Sequence, residues 1–270
     1  MAPFTMYSNE KVDKTLNPKF MTLFLKRAQK TELKELLNVM NRIKTGQPLT
    51  ILDIGVGNGR IPLLLSKEPI WEKVQLFVGL DNSLLEIKTA QYNIKKNNLS
   101  DKVKIVHFNA LNLDTIASKK ILQCKYDLVI CTYFTPGNFK PAEIKIATNE
   151  YGKILPYPSD VLNPNQIFIR VFKSAFQLLK KNGKLFMGSI YIDSDDNRKK
   201  QEAFYKKCRM KIITTEKDSF TATKEGFWSQ RFSDDSLYKH LSWIDKDKIK
   251  IIPLDRYNFA EAVILSNTDK

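Results

Sequence analysis

Short runs of β-branched and aromatic residues alternate with amphipathic segments along most of the chain. Such runs, with few charges and turn residues at their ends, are typical of strands buried in a sheet. Five such runs occur, at residues 50–54, 74–80, 103–108, 126–133 and 184–192. The intervening segments carry apolar residues at helical spacing, so the pattern predicts strands that alternate with helices.

Local signals mark the ends of several predicted helices. Residues 83–86 read SLLE, a capping box that opens a helix through about Lys96. A second amphipathic helix is predicted to begin at Asn163-Pro164 and to end at Asn182-Gly183. The segment ELKELLNVMNRI is the clearest part of a helical region that precedes the first strand.

Strands that alternate with helices predict right-handed βαβ units and a mostly parallel sheet. We therefore expect an α/β protein with a Rossmann-like, doubly wound, seven-stranded sheet, in which residues 249–252 and 261–265 add a C-terminal antiparallel hairpin. Residues 1–48 are expected to form a helical cover, acting either as packing or as a lid, before a domain at 49–270.

The composition limits the possible binding partners but does not identify one. The chain has 270 residues, a formal net charge of +15 and only eight arginines among its 44 basic residues. Lysine excess of this kind also follows from biased genome composition, so the basic cluster at 198–211 is interpreted first as a solvated helix face and second as a docking surface for nucleic acid or protein. No secretory signal or membrane span is recognisable, and three cysteines lack metal-ligand spacing, so we expect a cytoplasmic protein with no metal site.

A glycine-rich turn follows the first predicted strand, in the sequence LTILDIGVGNGR at 49–60. Glycines at a strand-to-helix turn let a ligand approach the backbone closely. The dinucleotide fingerprint needs a glycine three positions after the second one, where this chain has Arg60. A nicotinamide or flavin dinucleotide is therefore excluded by spacing.

The pattern D-x-G-x-G-x-G and the ordered series of elements over residues 49–192 resemble the class I S-adenosylmethionine-dependent methyltransferases. The resemblance implies S-adenosyl-L-methionine as cofactor and S-adenosyl-L-homocysteine as product. It also implies that Asp53 orients the amino group of the methionine moiety, that the glycine turn wraps methionine and ribose, and that Asp81 binds the ribose hydroxyls. The implied cofactor-binding residues are Asp53, Gly55, Gly57, Gly59, Asp81, Asn82, Asn109, Ala110 and Thr132.

The methyl acceptor is less defined by the sequence. The NPPY or DPPY segment of base-amine enzymes and the Pro-Cys nucleophile of cytosine enzymes are absent, and His107, His240 and Cys131 are interpreted as structural. The long insert at 135–163 leaves the fourth strand beside the expected methyl group and is a candidate substrate loop. The candidate catalytic residues are Tyr133, at the end of the fourth strand, and Asn138 and Tyr151, within the insert.

Two weaker patterns bear on the acceptor. Gly137-Asn138-Phe139 resembles a segment of the histidine N-methyltransferases, which would imply that Asn138 contacts an amino-acid-like substrate; a simple turn is the alternative. Phe227, Trp228 and Phe232 are expected either to wall the acceptor pocket or to pack in the core.

The leading hypothesis is a methyltransferase that acts on a small polar acceptor, an amine or an amino-acid-like molecule, by in-line displacement, with Tyr7 and its neighbours closing over the cofactor. The alternatives are an RNA or protein methyltransferase, a non-catalytic cofactor-binding protein and, less favoured, an aminopropyl transferase.

Overall fold

The computed structural model describes residues 23–43, 46–115, 122, 125–141, 164–215, 220–255 and 259–268. Strands in this part of the chain form two sheets. They are β1 (Leu49–Ile54), β2 (Val74–Asp81), β3 (Val103–His107), β4 (Tyr126–Cys131), β5 (Leu179–Tyr191), β6 (Ile212–Thr215), β7 (Phe220–Thr223), β8 (Trp228–Gln230), β9 (Ile249–Pro253) and β10 (Ala260–Ser266).

The main sheet has seven strands in the order β3-β2-β1-β4-β5-β10-β9. The first five are parallel, whereas β10 pairs antiparallel with both β5 and β9. Strand order reverses between β1 and β4, which places the topological switch point at the carboxyl end of β1. The expected Rossmann-like sheet with its C-terminal antiparallel hairpin is thus confirmed.

Helices cover both faces of the main sheet. They are α1 (Leu23–Arg42), α2 (Arg60–Leu65), α3 (Leu84–Lys96), α4 (Gln166–Gln177), α5 (Asp195–Lys207) and α6 (Asp234–His240). Because side chains alternate along a strand, Ile51 joins one apolar cluster with Leu36 of α1, and Leu52 joins a second cluster with Phe172 of α4. The sheet is therefore buried on both faces, as its apolar runs predict.

The predicted limits of α4 were wrong at both ends. Its N-cap is Asn165, whose side chain accepts hydrogen bonds from the N–H groups of Ile167 and Phe168. The helix ends at Gln177, and Asn182 (φ 65°) lies inside β5, at a register irregularity between β4 and β5. The Asn-Gly pair thus supplies the left-handed conformation that it favours, but within a strand instead of at a helix end. The capping box of α3 is confirmed, with Ser83 Oγ accepting from the N–H of Glu86.

A second sheet, of order β6-β7-β8, was not predicted. Its strand β8 packs on the turn at Thr135–Asn138, which follows β4. The approach is so close that a Cβ on Gly137 would lie 2.7 Å from the carbonyl oxygen of Gln230. The small sheet thereby brings its residues to the carboxyl ends of the parallel strands.

None of the described helices combines the length and the apolar content that a membrane span requires.

Candidate functional site

Two cavities lie at the switch point of the main sheet. The larger one, of about 360 Å³, extends from the ends of β1 and β2 to the turn after β4 and to β8. The smaller one, of about 70 Å³, lies over the glycine turn and beneath α1. Both cavities are lined by Gly55, Asp81 and Thr135, so the two cavities meet beside the glycine turn.

The glycine turn has a backbone that other residues adopt only with strain. Gly55, Gly57 and Gly59 have φ angles of 76°, 53° and 83°, all in the left-handed region. At Gly55 a Cβ would also lie 2.5 Å from Cγ2 of Thr135. Glycine is therefore required here by conformation and by the approach of the turn after β4.

Asp53, the penultimate residue of β1, is a buried carboxylate, 1% exposed, and neither oxygen accepts a hydrogen bond. Burial raises its pKa to about 8; Arg60 opposes that rise, whereas Asp81 and Glu32 add to it. A buried acid without a partner is costly. Its position beside the glycine turn fits a cationic or hydrogen-bond-donating ligand group such as the amino group of the cofactor.

Asp81 ends β2 and is partly engaged by the backbone. Its Oδ2 accepts from the N–H of Gly57 at 3.0 Å, and its Oδ1 accepts from the N–H of Ser83 at 2.9 Å. Burial raises its pKa, and these backbone hydrogen bonds counteract the rise. Each oxygen keeps a further lone pair, so the carboxylate can still accept from two ribose hydroxyls.

The other residues expected at the cofactor lie around the two cavities. Asn82, Asn109 and Ala110 line the larger cavity, and Thr132 lines the smaller one. Asn109 Oδ1 already accepts from the N–H of Leu111 at 3.0 Å, so it also caps the turn that follows β3.

Two charged residues were missed by sequence reasoning: Arg60, which lines the smaller cavity, and Glu32, which contacts two of its lining residues, Arg60 and Tyr133. Glu32 of α1, 1% exposed, accepts from Ser189 Oγ at 2.6 Å, from the N–H of Tyr133 at 3.0 Å and from Arg60 Nη2 at 3.3 Å. The guanidinium of Arg60 lies 4.7 Å from the ring centre of Tyr133, and its Nη1 is buried without a hydrogen-bond partner. Arg60 stood inside the glycine motif and could have been noticed, whereas nothing in the sequence marks Glu32.

The candidate catalytic residues do not all fall in one place. Tyr133 lines the smaller cavity, and burial raises the pKa of its phenol, which keeps the proton on the oxygen. Asn138 lines the larger cavity with Phe139, Lys140, Gly226 and Trp228. Tyr151 and most of the insert at 135–163 lie outside the described residues, as do Tyr7 and the rest of residues 1–22.

Only one of the three aromatic residues expected at the acceptor pocket lines the larger cavity. Trp228 does so, whereas Phe227 packs edge-on against Tyr205 and Phe232 packs against His240 in the core. His240 is structural as predicted, because its Nε2 accepts from the N–H of Asn165 at 2.8 Å.

The basic cluster forms helix α5 and its end. Three of its charges pair with acids on the same helix: Arg198 with Asp195, Lys200 with Asp196, and Lys206 with Glu202. This pairing supports the interpretation of a solvated face.

Comparison with known proteins identifies the family. A family model described as a methyltransferase domain matches residues 46–246. A curated relative, named a bifunctional methyltransferase, from Rickettsia typhi (strain ATCC VR-144 / Wilmington), is 29% identical over 153 residues, which make up 56% of this chain and 27% of the relative. The chain thus spans about a quarter of the length of that relative.

Solved structures share the fold at low identity. An S-adenosylmethionine-dependent methyltransferase from Clostridium acetobutylicum ATCC 824 superposes with a TM-score of 0.52 at 13% identity, over 95% of this chain and 96% of that one. The plantazolicin methyltransferase BpumL, crystallised with a triazolic desmethylPZN analog and SAH, gives 0.55 at 14% identity, over 98% and 93%. The CcbJ methyltransferase from Streptomyces caelestis gives 0.51 at 11% identity, over 87% and 94%.

The local resemblance of Gly137-Asn138-Phe139 to histidine N-methyltransferases is not borne out by these comparisons. The broader resemblance is confirmed by a family match that covers most of the chain and by the fold. The chain belongs to the methyltransferase-domain family and shares the fold of S-adenosylmethionine-dependent methyltransferases.

Proposed function

We propose that this enzyme transfers the methyl group to a small polar acceptor held in the larger cavity. One observation carries the proposal: that cavity continues from Asp81 and Asn109, where cofactor is expected, to a second group of side chains that includes Asn138 and Trp228. A cofactor and a small molecule can therefore lie side by side in one enclosure.

The cofactor-binding residues follow from the same geometry. In this proposal Asp53 accepts from the amino group of the methionine moiety, and Arg60 binds its carboxylate in the smaller cavity. Asp81 accepts from the ribose hydroxyls. Adenine lies against Asn82, Asn109 and Ala110, and the backbone near Gly55 and Thr132 surrounds the sulfonium. Residues 49–270 form the methyltransferase domain, and α1 belongs to the cover at 1–48.

In this proposal the protein contributes to the reaction by positioning the acceptor relative to the methyl group. Bound S-adenosylmethionine supplies an electrophilic methyl group for an in-line displacement. Holding the acceptor in line and excluding water supplies much of the acceleration in such reactions. Asn138 orients the acceptor by hydrogen bonds, and Tyr133, whose phenol stays protonated, acts as a donor and not as a base.

Calorimetric titration with S-adenosylmethionine, S-adenosylhomocysteine and NAD, followed by methyl-transfer assays on amines and amino acids, tests the proposal. We expect micromolar binding of the first two and none of NAD, and turnover of a small acceptor. Cofactor binding together with turnover of RNA or protein alone would reject the small acceptor. Failure of both sulfur ligands to bind would reject the residue assignments.

A further inference from the structure

Trp228, a wall residue of the larger cavity in β8, carries a buried hydrogen-bond donor without an acceptor. Trp228 begins β8, is 1% exposed and forms part of the cavity wall. Its indole Nε1 is buried and has no hydrogen-bond partner. A buried N–H that is left unpaired costs free energy, so an acceptor atom from a ligand is the simplest group to complete this wall.

A cation, Lys140, lines the same cavity. Lys140 is exposed, yet the surrounding protein desolvates its ammonium and lowers its pKa. No acid in the described part of the chain pairs with it. Among the described lining residues Lys140 is the only cation, and the one acid, Asp81, ends β2 where the ribose is proposed to bind.

The remaining walls near Trp228 and Lys140 are largely apolar. Phe139 follows the turn after β4, Ile167 lies in the first turn of α4, and Gly226 precedes β8. An apolar body therefore fits between the cofactor residues and the pair of donors.

We propose that these residues, the acceptor subsite of Asn138, Phe139, Lys140, Ile167, Gly226 and Trp228, bind the methyl acceptor through a carboxylate. One carboxylate oxygen accepts from Trp228 Nε1, and the single negative charge is balanced by the single ammonium of Lys140. The acceptor is thus a small monocarboxylic acid with an apolar body. This inference rests on the proposed function, because it names the substrate class of that same site.

The indole N–H resonances of isotope-labelled protein saturated with S-adenosylhomocysteine provide the test. The chain has three tryptophans, and Trp228→Phe identifies the resonance of interest. The probes are two matched pairs, phenylacetate with phenylacetamide and L-phenylalanine with L-phenylalaninamide. We expect each carboxylate to shift the Trp228 resonance and to bind at least about tenfold more tightly than its amide.

Lys140→Met should reduce that preference to less than about threefold, while Lys104→Met, an exposed lysine on β3, should leave it unchanged. Equal binding of acid and amide, binding that leaves the Trp228 resonance in place, or no binding of any probe would overturn the carboxylate subsite. If S-adenosylhomocysteine itself fails to bind, the proposed function fails instead, and the same titration of the ligand-free protein then tests the subsite alone.

Discussion

At the scale of single residues, Asp53 couples stability to pH. Its pKa of about 8 in the folded state exceeds the ordinary value of 3.8, so the folded protein binds more protons than the unfolded chain between these values. Its contribution to stability is therefore present at low pH and is lost as pH rises toward 8. We expect Asp53→Asn to unfold at a higher temperature than the wild type at pH 8, with a smaller difference at pH 5.

Scanning calorimetry of ligand-free protein measures this difference. Asp101→Asn, which changes an exposed carboxylate, should follow the wild type at both pH values. The Asp53 variant should also bind S-adenosylhomocysteine more weakly, since it loses the charge proposed to meet the amino group. A wild-type pH profile for Asp53→Asn would contradict the raised pKa.

Asp81 is the second residue for which we expect a measurable effect, in this case on cofactor affinity. Asp81→Ala removes the proposed acceptors of the ribose hydroxyls and also the partners of the Gly57 and Ser83 N–H groups. We expect cofactor affinity to fall by roughly 1.5–3 kcal/mol, the usual range for hydrogen bonds to a charged group. Calorimetric titration measures the change, with Asp101→Ala as control. Unchanged affinity in a folded variant would remove Asp81 from the cofactor site.

At the scale of elements, Glu32 makes the polar contact between α1 and the sheet. Glu32 joins α1 to Tyr133 after β4, to Ser189 of β5 and to Arg60 of α2. A Cβ on Gly188 would overlap the Glu32 carboxylate, so the fit is close on the β5 side as well. The described part of the cover is therefore packed onto the sheet.

Glu32→Ala leaves an arginine, a hydroxyl and an amide without their shared acceptor. Breaking a buried ion pair from one side typically costs about 3–5 kcal/mol. We expect a loss of that order in the free energy of unfolding, measured by urea denaturation, and a smaller loss for Glu32→Gln. Lys34→Ala, on the exposed side of the same helix, is the control. Wild-type stability of Glu32→Ala would instead indicate a helix that is loosely attached.

The elements that could be predicted are those with a strong local pattern. The strands β1, β2 and β4 are mostly apolar runs, and the capping box of α3 is read within four residues. The first half of β5, LKKNGK, lacks such a pattern, and it was predicted as the end of a helix. The strands β6 to β8 have three or four residues each and polar sequences such as TAT and SQ, so their periodicity is too short to detect. They are held by packing against the rest of the fold.

The residues of the candidate site also differ in how far the sequence could predict them. Gly55 and Asp81 belong to a motif with fixed spacing, so their proximity follows from one βαβ unit. Glu32 contacts Tyr133 and Ser189 across 101 and 157 residues, which no local pattern encodes. Trp228 was named as a candidate but could not be separated from Phe227 and Phe232, because only the fold determines which ring faces the cavity.

At the scale of the whole molecule, the net charge of +15 predicts weak, salt-sensitive attraction to RNA. If the acceptor is a small molecule, methyl transfer should change little between 50 and 200 mM salt, whereas contacts to six to ten phosphates would lose roughly 10³–10⁵ in affinity. The double variant Lys199→Glu/Lys207→Glu, at two exposed positions of α5, should retain its activity. Steady-state assays measure both, and a steep loss in either would favour the RNA alternative.

The border that the two cavities share has a kinetic consequence. Gly55, Asp81 and Thr135 belong to both, so a bound cofactor would itself form one wall of the acceptor subsite. The acceptor then gains its full binding surface only after the cofactor is in place, and the demethylated product leaves last. Initial-rate analysis should accordingly give an ordered sequential mechanism, in which S-adenosylhomocysteine inhibits competitively against S-adenosylmethionine and non-competitively against the acceptor.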